Sequence, residues 1–468
     1  MGVDARTTRD HIGRRLATFA SDLSLERVPA TTLDALKLQI LDMLGVMLAG
    51  STTGVYASVV RAMQAMGGAP EVTVVGSPCR LPVASAAFAN GTAAHVVELD
   101  GALQATNVHA HSSVVPASLA VAERTGASGQ EFLLGVLAGL EVALRLGRAM
   151  FPSHSRRGFH PTGSCGTFGA AASAARLFHL DEADTEAALG LAATQAMALR
   201  GQPGPGAFEM KRVHAGKAAH NGILAALLAR EGIPAAEGFL SGDRGFMRLC
   251  SDGPDLDGLL DGLGEQFVAA QCYLKPYAAV RHAHAPIDTI LAFRRERAVD
   301  PALIRRIVVR IYREGALHDT REPESPGHAQ FSLPYSLAVA YLDGNALLSQ
   351  YSQERWSDPQ LRELARKVEV RFDAEMDGEF LRTKRRAHEV RVEMDGREVW
   401  IGHTDYPKGS LNNPMSPEEV ERKYFDLAEM VVDVDTALRL RESVERLERL
   451  ETVEAICSCL GCPAAEQS

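Results

Sequence analysis

The sequence predicts a mainly α protein: a large all-α helical domain with a smaller inserted α+β domain. Three observations carry this. Before residue 268, apolar residues recur with the 3.6-residue period of buried helix faces. From about 270 to 403, short alternating segments appear between helices. After Asn412-Asn413-Pro414-Met415 the helical period returns. The expected divisions are 1–268 for the first part of the helical domain, 269–405 for a lid-like α+β domain, and 406–468 for C-terminal helices that rejoin the helical domain.

Ile12, Leu16, Phe19 and Ala20 mark a first helix. Pro29-Ala30-Thr31-Thr32 opens a second, carrying Leu33, Leu36, Ile40, Leu41, Leu44 and Met47. A third runs from Val55 to Met66 and stops at Gly67-Gly68. Glu71 to Gly76 reads as a short strand, and Pro82 to His95 as a helix of small residues. Ser112-Ser113 caps an apolar helix from Val114 to Glu123, and a long helix spans Gln130 to Met150. Gly158 to Gly169 is a Gly/Pro/Thr/Ser turn running into an Ala-rich helix. Helices are then expected from Glu182 to Leu199 and from Ala218 to Arg230, with Gly201 to Gly206 a loop between them. In the later region Ile287 to Arg297 is helical, and Ile304–Tyr312, Lys367–Phe372 and Glu389–Met394 alternate as strands. Asp395-Gly396 suits a type I′ hairpin turn. Pro417–Ala428 and Thr436–Leu450 close the helical domain.

Composition narrows the function. With 46% hydrophobic and 23% charged residues the chain is of ordinary globular type. Its net charge of −10 argues against a nucleic-acid surface or an anionic membrane as partner. An acidic protein can still take acidic ligands by concentrating its basic side chains in one place. Seven scattered cysteines, an odd number, argue against a disulfide framework. Cys457, Cys459 and Cys462 lack a fourth convergent ligand, so no metal site is expected. The polar N-terminus has no apolar signal core, and a cytoplasmic location is expected.

Three stretches place basic or imidazole groups just before a small-residue helix. They are His109 ahead of Ser112, His160 ahead of Pro161, and Lys211-Arg212-Val213-His214 ahead of Ala218. A helix N-terminus attracts anions and disfavours imidazolium, so a histidine there changes charge when an anion binds. His109 and His160 are the candidate acid and base. Lys211 and Lys275, beside Arg212 and Arg281, are candidate carboxylate holders, although such lysines are commonly just solvated. Glu98 and Asp100 can orient a histidine or abstract a proton, and equally can be caps. His111, His214, His282 and His284 read as supporting residues. Cys165 precedes a helix-start glycine but has no local base. No dinucleotide fingerprint, Walker A sequence or Gly-x-Ser-x-Gly elbow is present.

Leu41-Asp42-Met43-Leu44-Gly45, Asn90-Gly91-Thr92-Ala93-Ala94-His95, Glu98-Leu99-Asp100, His109 with Pro116-Ala117, Gly158-Phe159-His160, Lys211-Arg212-Val213-His214, Lys275-Pro276-Tyr277 and Phe331-Ser332-Leu333-Pro334-Tyr335 occur in this order over about residues 10–450. In this, the chain resembles the MmgE/PrpD family, which includes 2-methylcitrate dehydratase, cis-aconitate decarboxylase and iminodisuccinate epimerase. The resemblance implies a homodimer whose site lies between the domains, with no cofactor and no metal. It places Glu98, His109, His160, Lys211 and Lys275 at active-site positions and Asp100 in the same acidic motif. Arg212, His214, Tyr277 and Arg281 are the expected substrate-binding residues. Gly101 stands where the family often has a second acid, Glu98 where the decarboxylase has aspartate, and Val280 where it has histidine. The expected reaction is metal-independent proton abstraction next to a carboxylate of a small di- or tricarboxylate. Dehydration is placed first, with epimerisation or decarboxylation as alternatives and a non-catalytic polycarboxylate-binding dimer last.

Overall fold

The computed structural model describes residues 11–104, 106–201, 205–383 and 385–461. Gln202, Pro203 and Gly204 of the expected Gly201–Gly206 loop, and Cys462, therefore lie outside the described residues. The chain is mainly α. It forms two compact units, one of Met1–Val96, Asp100–Cys272 and Pro417–Ser468, the other of Val97–Leu99 and Tyr273–Ser416. Among the described residues, no single helix is long and apolar enough to cross a membrane.

The first unit is built on helices of small residues. The Pro161–Leu177 helix, PTGSCGTFGAAASAARL, is buried on all sides but Arg176. Small side chains make this possible, because each helix can be approached closely from several directions. Gly139 of the Gly129–Met150 helix and Gly169 face one another, and a Cβ on either would lie 2.5–2.6 Å from the other's carbonyl oxygen. Gly91 of the Val83–Val96 helix also packs closely on the His214–Arg230 helix, where its Cβ would lie 2.8 Å from Gly216 Cα. The ends are locally specified: Ser128 and Glu131 form a reciprocal capping box, and Pro161 takes the first helical position after His160.

The N-terminal and C-terminal segments of this unit are joined by a buried charge pair. Lys423, on the Pro417–Ala428 helix, places Nζ 2.7 Å from Asp42 Oδ1 on the Ala30–Ser51 helix. Both side chains are almost wholly buried, and burial pushes the Asp42 carboxyl up against the lowering effect of Lys423.

The structure departs from the sequence expectations at four places in this unit, one being the last expected helix, Thr436–Leu450, which runs Val434–Glu445 and is followed by a separate 3-10 turn, Leu447–Arg449. The Glu182 helix ends at Ala193, not Leu199. The following chain is drawn alongside residues 158–160: His160 N–H donates to Ala198 O (2.8 Å) and Arg200 N–H to Gly158 O (2.9 Å). The expected 201–206 loop gives way at Pro205 to a short helix, Pro205–Arg212, and the next helix begins at His214 rather than Ala218. The predicted 71–76 strand shortens to Val72–Thr73, paired antiparallel with Arg80–Leu81.

The second unit holds a four-stranded mixed sheet in the order Val368–Phe372, Ile304–Ile311, His388–Met394, Val399–Gly402. Ile304–Ile311 runs parallel to the first and antiparallel to the third. The parallel pair is joined through the Leu333–Asp343 and Pro359–Arg366 helices, as a parallel connection requires. The hairpin at Asp395-Gly396 is not type I′. It is a three-residue loop, Asp395–Arg397, with Met394 N–H bonded to Glu398 O. Only Gly396 takes a positive φ (79°) where type I′ needs two.

Two consequences are measurable by denaturant unfolding. Gly216→Ala would put a methyl 2.2 Å from Phe88 O, and is expected to destabilise by about 1–3 kcal/mol; unchanged stability would contradict this packing. Asp42→Asn leaves Lys423 buried without its counter-charge and should cost about 3–5 kcal/mol, most of it recovered in Asp42→Leu/Lys423→Met. A double variant as unstable as the single one would show that the charge pair is not the source.

Candidate active site

The first unit gathers four histidines from four elements. His95 comes from the last turn of the Val83–Val96 helix, and His109 from the loop before the His111–Thr125 helix. His160 caps the Pro161–Leu177 helix, and His214 opens the His214–Arg230 helix. Ring centroids lie 5.7 Å apart for His95 and His109, 5.6 Å for His95 and His160, and 5.1 Å for His160 and His214. Three of the rings, His95, His160 and His214, are at most 5% exposed.

Asp100 anchors one end. Its Oδ2 lies 2.5 Å from His95 Nδ1 and 3.4 Å from His109 Nδ1, and its carbonyl oxygen 3.1 Å from His109 Nδ1. The carboxylate fixes the His95 tautomer by accepting its Nδ1–H. That leaves Nε2 of a fully buried ring without a partner. His109 is fixed further by Thr162, whose hydroxyl oxygen accepts its backbone N–H (3.1 Å).

At the other end, His160 Nδ1 and His214 Nδ1 are 3.0 Å apart. Two ring nitrogens can share a hydrogen bond only if one carries the proton and the other is bare, so the pair cannot hold two positive charges there. Burial, then His95, Lys211, Arg200 and His214, hold the His160 pKa well below its ordinary value. Burial first and the same cations with Lys217 depress His214 to about 4. Both rings are neutral at pH 7 in the free protein. Lys211 ends the Pro205–Arg212 helix, half-buried.

The structure thus brings Asp100, His109, His160, Lys211 and His214 into one cluster. Arg212 is engaged with Glu209 at 3.2 Å. His111 is structural: it bonds Gln39 Oε1 through Nε2, and burial takes it to about 4. Cys165 is wholly buried, and burial pushes its thiol up to about 12, which removes it as a nucleophile at neutral pH. His95 was not among the sequence candidates. A histidine ending a helix of small apolar residues reads as a core residue; the signal that marks it is Asp100, five residues on.

The remaining candidates belong to the second unit. Lys275 (1% exposed) donates to Glu98 O at 3.0 Å and lies 3.4 Å from Glu98 Oε2. Glu98 sits in the left-handed region at φ 57°, a conformation that costs a non-glycine residue about 1–2 kcal/mol. Tyr277 donates to Asp288 Oδ1 at 2.6 Å, so its hydroxyl is engaged within its own unit. Arg281 is buried against Tyr273. His282 Nδ1 is 2.6 Å from the Tyr312 hydroxyl, and its ring stacks on His318.

Comparison with known proteins places this arrangement. Residues 14–259 match the MmgE/PrpD N-terminal domain and residues 277–449 the MmgE/PrpD C-terminal domain. The chain is 30% identical over 434 residues to a cis-aconitate decarboxylase of Mus musculus, covering 88% of this chain and 86% of the relative. It is 28% identical over 471 residues to a cis-aconitate decarboxylase of Aspergillus terreus, covering 95% of each. A cis-aconitate decarboxylase-like protein of Aspergillus oryzae is 28% identical over 482 residues, covering 97% of this chain and 98% of the relative. Both halves of one family pattern are present in order, and the chain belongs to the MmgE/PrpD family.

Proposed function

We propose that the protein is a lyase that removes CO2 from a small tricarboxylate of the cis-aconitate type. The observation that carries this is the hydrogen-bonded His160–His214 pair beside the Asp100–His95 pair, with Lys211 and Arg200 acting on both His160 and His214. The names of the relatives favour decarboxylation over the dehydration placed first from the sequence.

The chemistry needs few groups. The CH2–carboxylate of such a substrate is allylic to its double bond. When the C–CO2 bond breaks, the electron pair shifts through the double bond to the carbon next to another carboxylate. A proton delivered there completes a methylene-substituted dicarboxylate. The trianion plus one proton becomes a dianion plus CO2. The protein must therefore hold carboxylates and deliver one proton.

Lys211 and Arg200 supply the holding charge. Burial and the neighbouring cations keep His160 and His214 neutral, and a bound polyanion opposes both by adding negative charge beside the rings, so the pair gains a proton when substrate arrives. His160 or His109 then delivers that proton to carbon. His95, oriented by Asp100, is the neighbouring imidazole through which it is replaced. The same groups can run dehydration, with one imidazole taking the C–H proton and another protonating the hydroxyl.

His160→Gln is expected to lower kcat by about 10²–10⁴-fold on cis-aconitate. In D2O the wild-type product should carry one carbon-bound deuterium, with CO2 released in equal amount. Alkene formation from citrate-like substrates without CO2 would favour dehydration, and deuterium entering unreacted substrate would favour epimerisation. Turnover intact in His160→Gln would remove the assignment altogether.

The charge argument has its own readout. Both pKa values are depressed in the free protein, that of His214 to about 4; a bound polyanion raises them, so binding takes up protons and affinity for the polyanion rises as pH falls toward the depressed values. Calorimetry at pH 6 in buffers of different ionisation enthalpy should show uptake of up to about one proton per site, absent when His160 and His214 are both replaced by Gln. Identical heats in all buffers would contradict it.

A further inference from the structure

The Arg281–Arg297 helix begins in an unusual electrostatic state. Its first turn holds no acid, and its N-cap residue, Val280, makes no side-chain capping bond. Arg281, His282 and His284 are all placed there. The first N–H groups of a helix form a positive pole, where acids are favourable and cations unfavourable. Such a cluster is stabilised by an anion.

Arg281 is oriented for one. It is 5% exposed, and its guanidinium lies 4.2 Å from the Tyr273 ring centroid. Nη1 donates to His284 Nδ1 at 2.9 Å and to Lys408 O at 3.2 Å. His284 can accept because its Nε2 bonds Ala279 O at 3.1 Å. Among the described residues, Nε and Nη2 have no partner. These two are neighbours on one edge of the guanidinium, the edge whose parallel N–H bonds match both oxygens of a carboxylate.

The surroundings add no carboxylate to that edge. Asp288 is the acid acting on Arg281, but its oxygens accept from the Tyr277 hydroxyl (2.6 Å) and the Lys408 N–H (2.7 Å). Arg386, 7% exposed, bears on Arg281 as a like charge and bonds Tyr312, while its own Nε has no partner. Lys275 adds positive charge near His284. A buried guanidinium without a counter-charge is costly, and the cost is lifted by an anionic ligand.

We propose that Arg281 is a carboxylate clamp at the head of this helix, holding one carboxylate of a polycarboxylate through its Nε–Nη2 edge, with Arg386 as the second cation. This rests on the polycarboxylate reading above. Val280, next in the chain, supplies no polar group, so recognition at this point falls to the arginine edge. Lysine in place of Arg281 keeps a charge but loses the paired donors.

The test is calorimetric titration of the full-length protein with propane-1,2,3-tricarboxylate, glutarate and inorganic phosphate. Wild type should prefer the tricarboxylate to glutarate. Arg281→Lys should bind the tricarboxylate about 10- to 100-fold more weakly and lose that preference, and Arg281→Gln should behave likewise, with folding verified by circular dichroism. Wild-type affinity in Arg281→Lys would overturn the clamp while leaving the His160 assignment standing. Tighter binding of phosphate than of the tricarboxylate would overturn the carboxylate assignment. No tricarboxylate binding by wild type would remove the polycarboxylate reading with it. If neither variant folds, the Nε–H resonances of ¹⁵N-arginine-labelled wild type decide: a downfield shift of one buried signal on adding the tricarboxylate supports the clamp, and no shift overturns it.

Discussion

The contact on which the first unit depends is the meeting of Gly91 and Gly216. There the Val83–Val96 and His214–Arg230 helices approach so closely that a Cβ on Gly91 would fall 2.8 Å from Gly216 Cα. His95 is one helical turn beyond Gly91, and His214 is two residues before Gly216. The distance between the two backbones therefore sets the distance between imidazoles. Gly163 extends the constraint, since a methyl there would press on the Cβ atoms of Ala198 and His214. Small residues in these helices are a spacing device for the histidines as well as a way to pack. Ring separations of 5.1–5.7 Å follow from backbone contacts rather than from the histidines themselves.

The same packing sets which buried groups carry charge. The chain carries −10 overall, yet desolvation and neighbouring cations keep His160 and His214 neutral. In the second unit, Arg281 is drawn down to about 10, chiefly by burial, and still carries its charge at neutral pH. The buried charge is set element by element, by which side chains are denied both water and a partner.

Much of the fold was legible because it depends on local signals. The Pro417–Ala428 helix appears with the expected bounds, and the later strands fall within a few residues of their predicted positions, whereas the helix expected from Ile287 already begins at Arg281. What was not legible depends on distant partners. The Glu182 helix stops early because residues 198–200 pair with 158–160, which no propensity announces. The basic stretch at Lys211 is helical where proline and glycine suggested a loop. Of the site, the histidines before helices stood out because a titratable group in a turn of small residues is conspicuous. His95 did not, because within a run of alanines it looks like packing. Tyr277 was expected to face a ligand, and its engagement with Asp288, eleven residues on, depends on a helix turn the sequence leaves open.

The pairing of Lys423 with Asp42 bears on how the molecule is made. The first unit is assembled from three separated stretches of chain, the last beginning at Pro417. During synthesis, the lysine that pairs with Asp42 is made 381 residues after it. Until then the Ala30–Ser51 helix carries a carboxylate without this partner among its buried residues, while residues 273–416 have all been made. Translation thus orders the assembly: the second unit can consolidate first, and the first is sealed only when its final helices arrive.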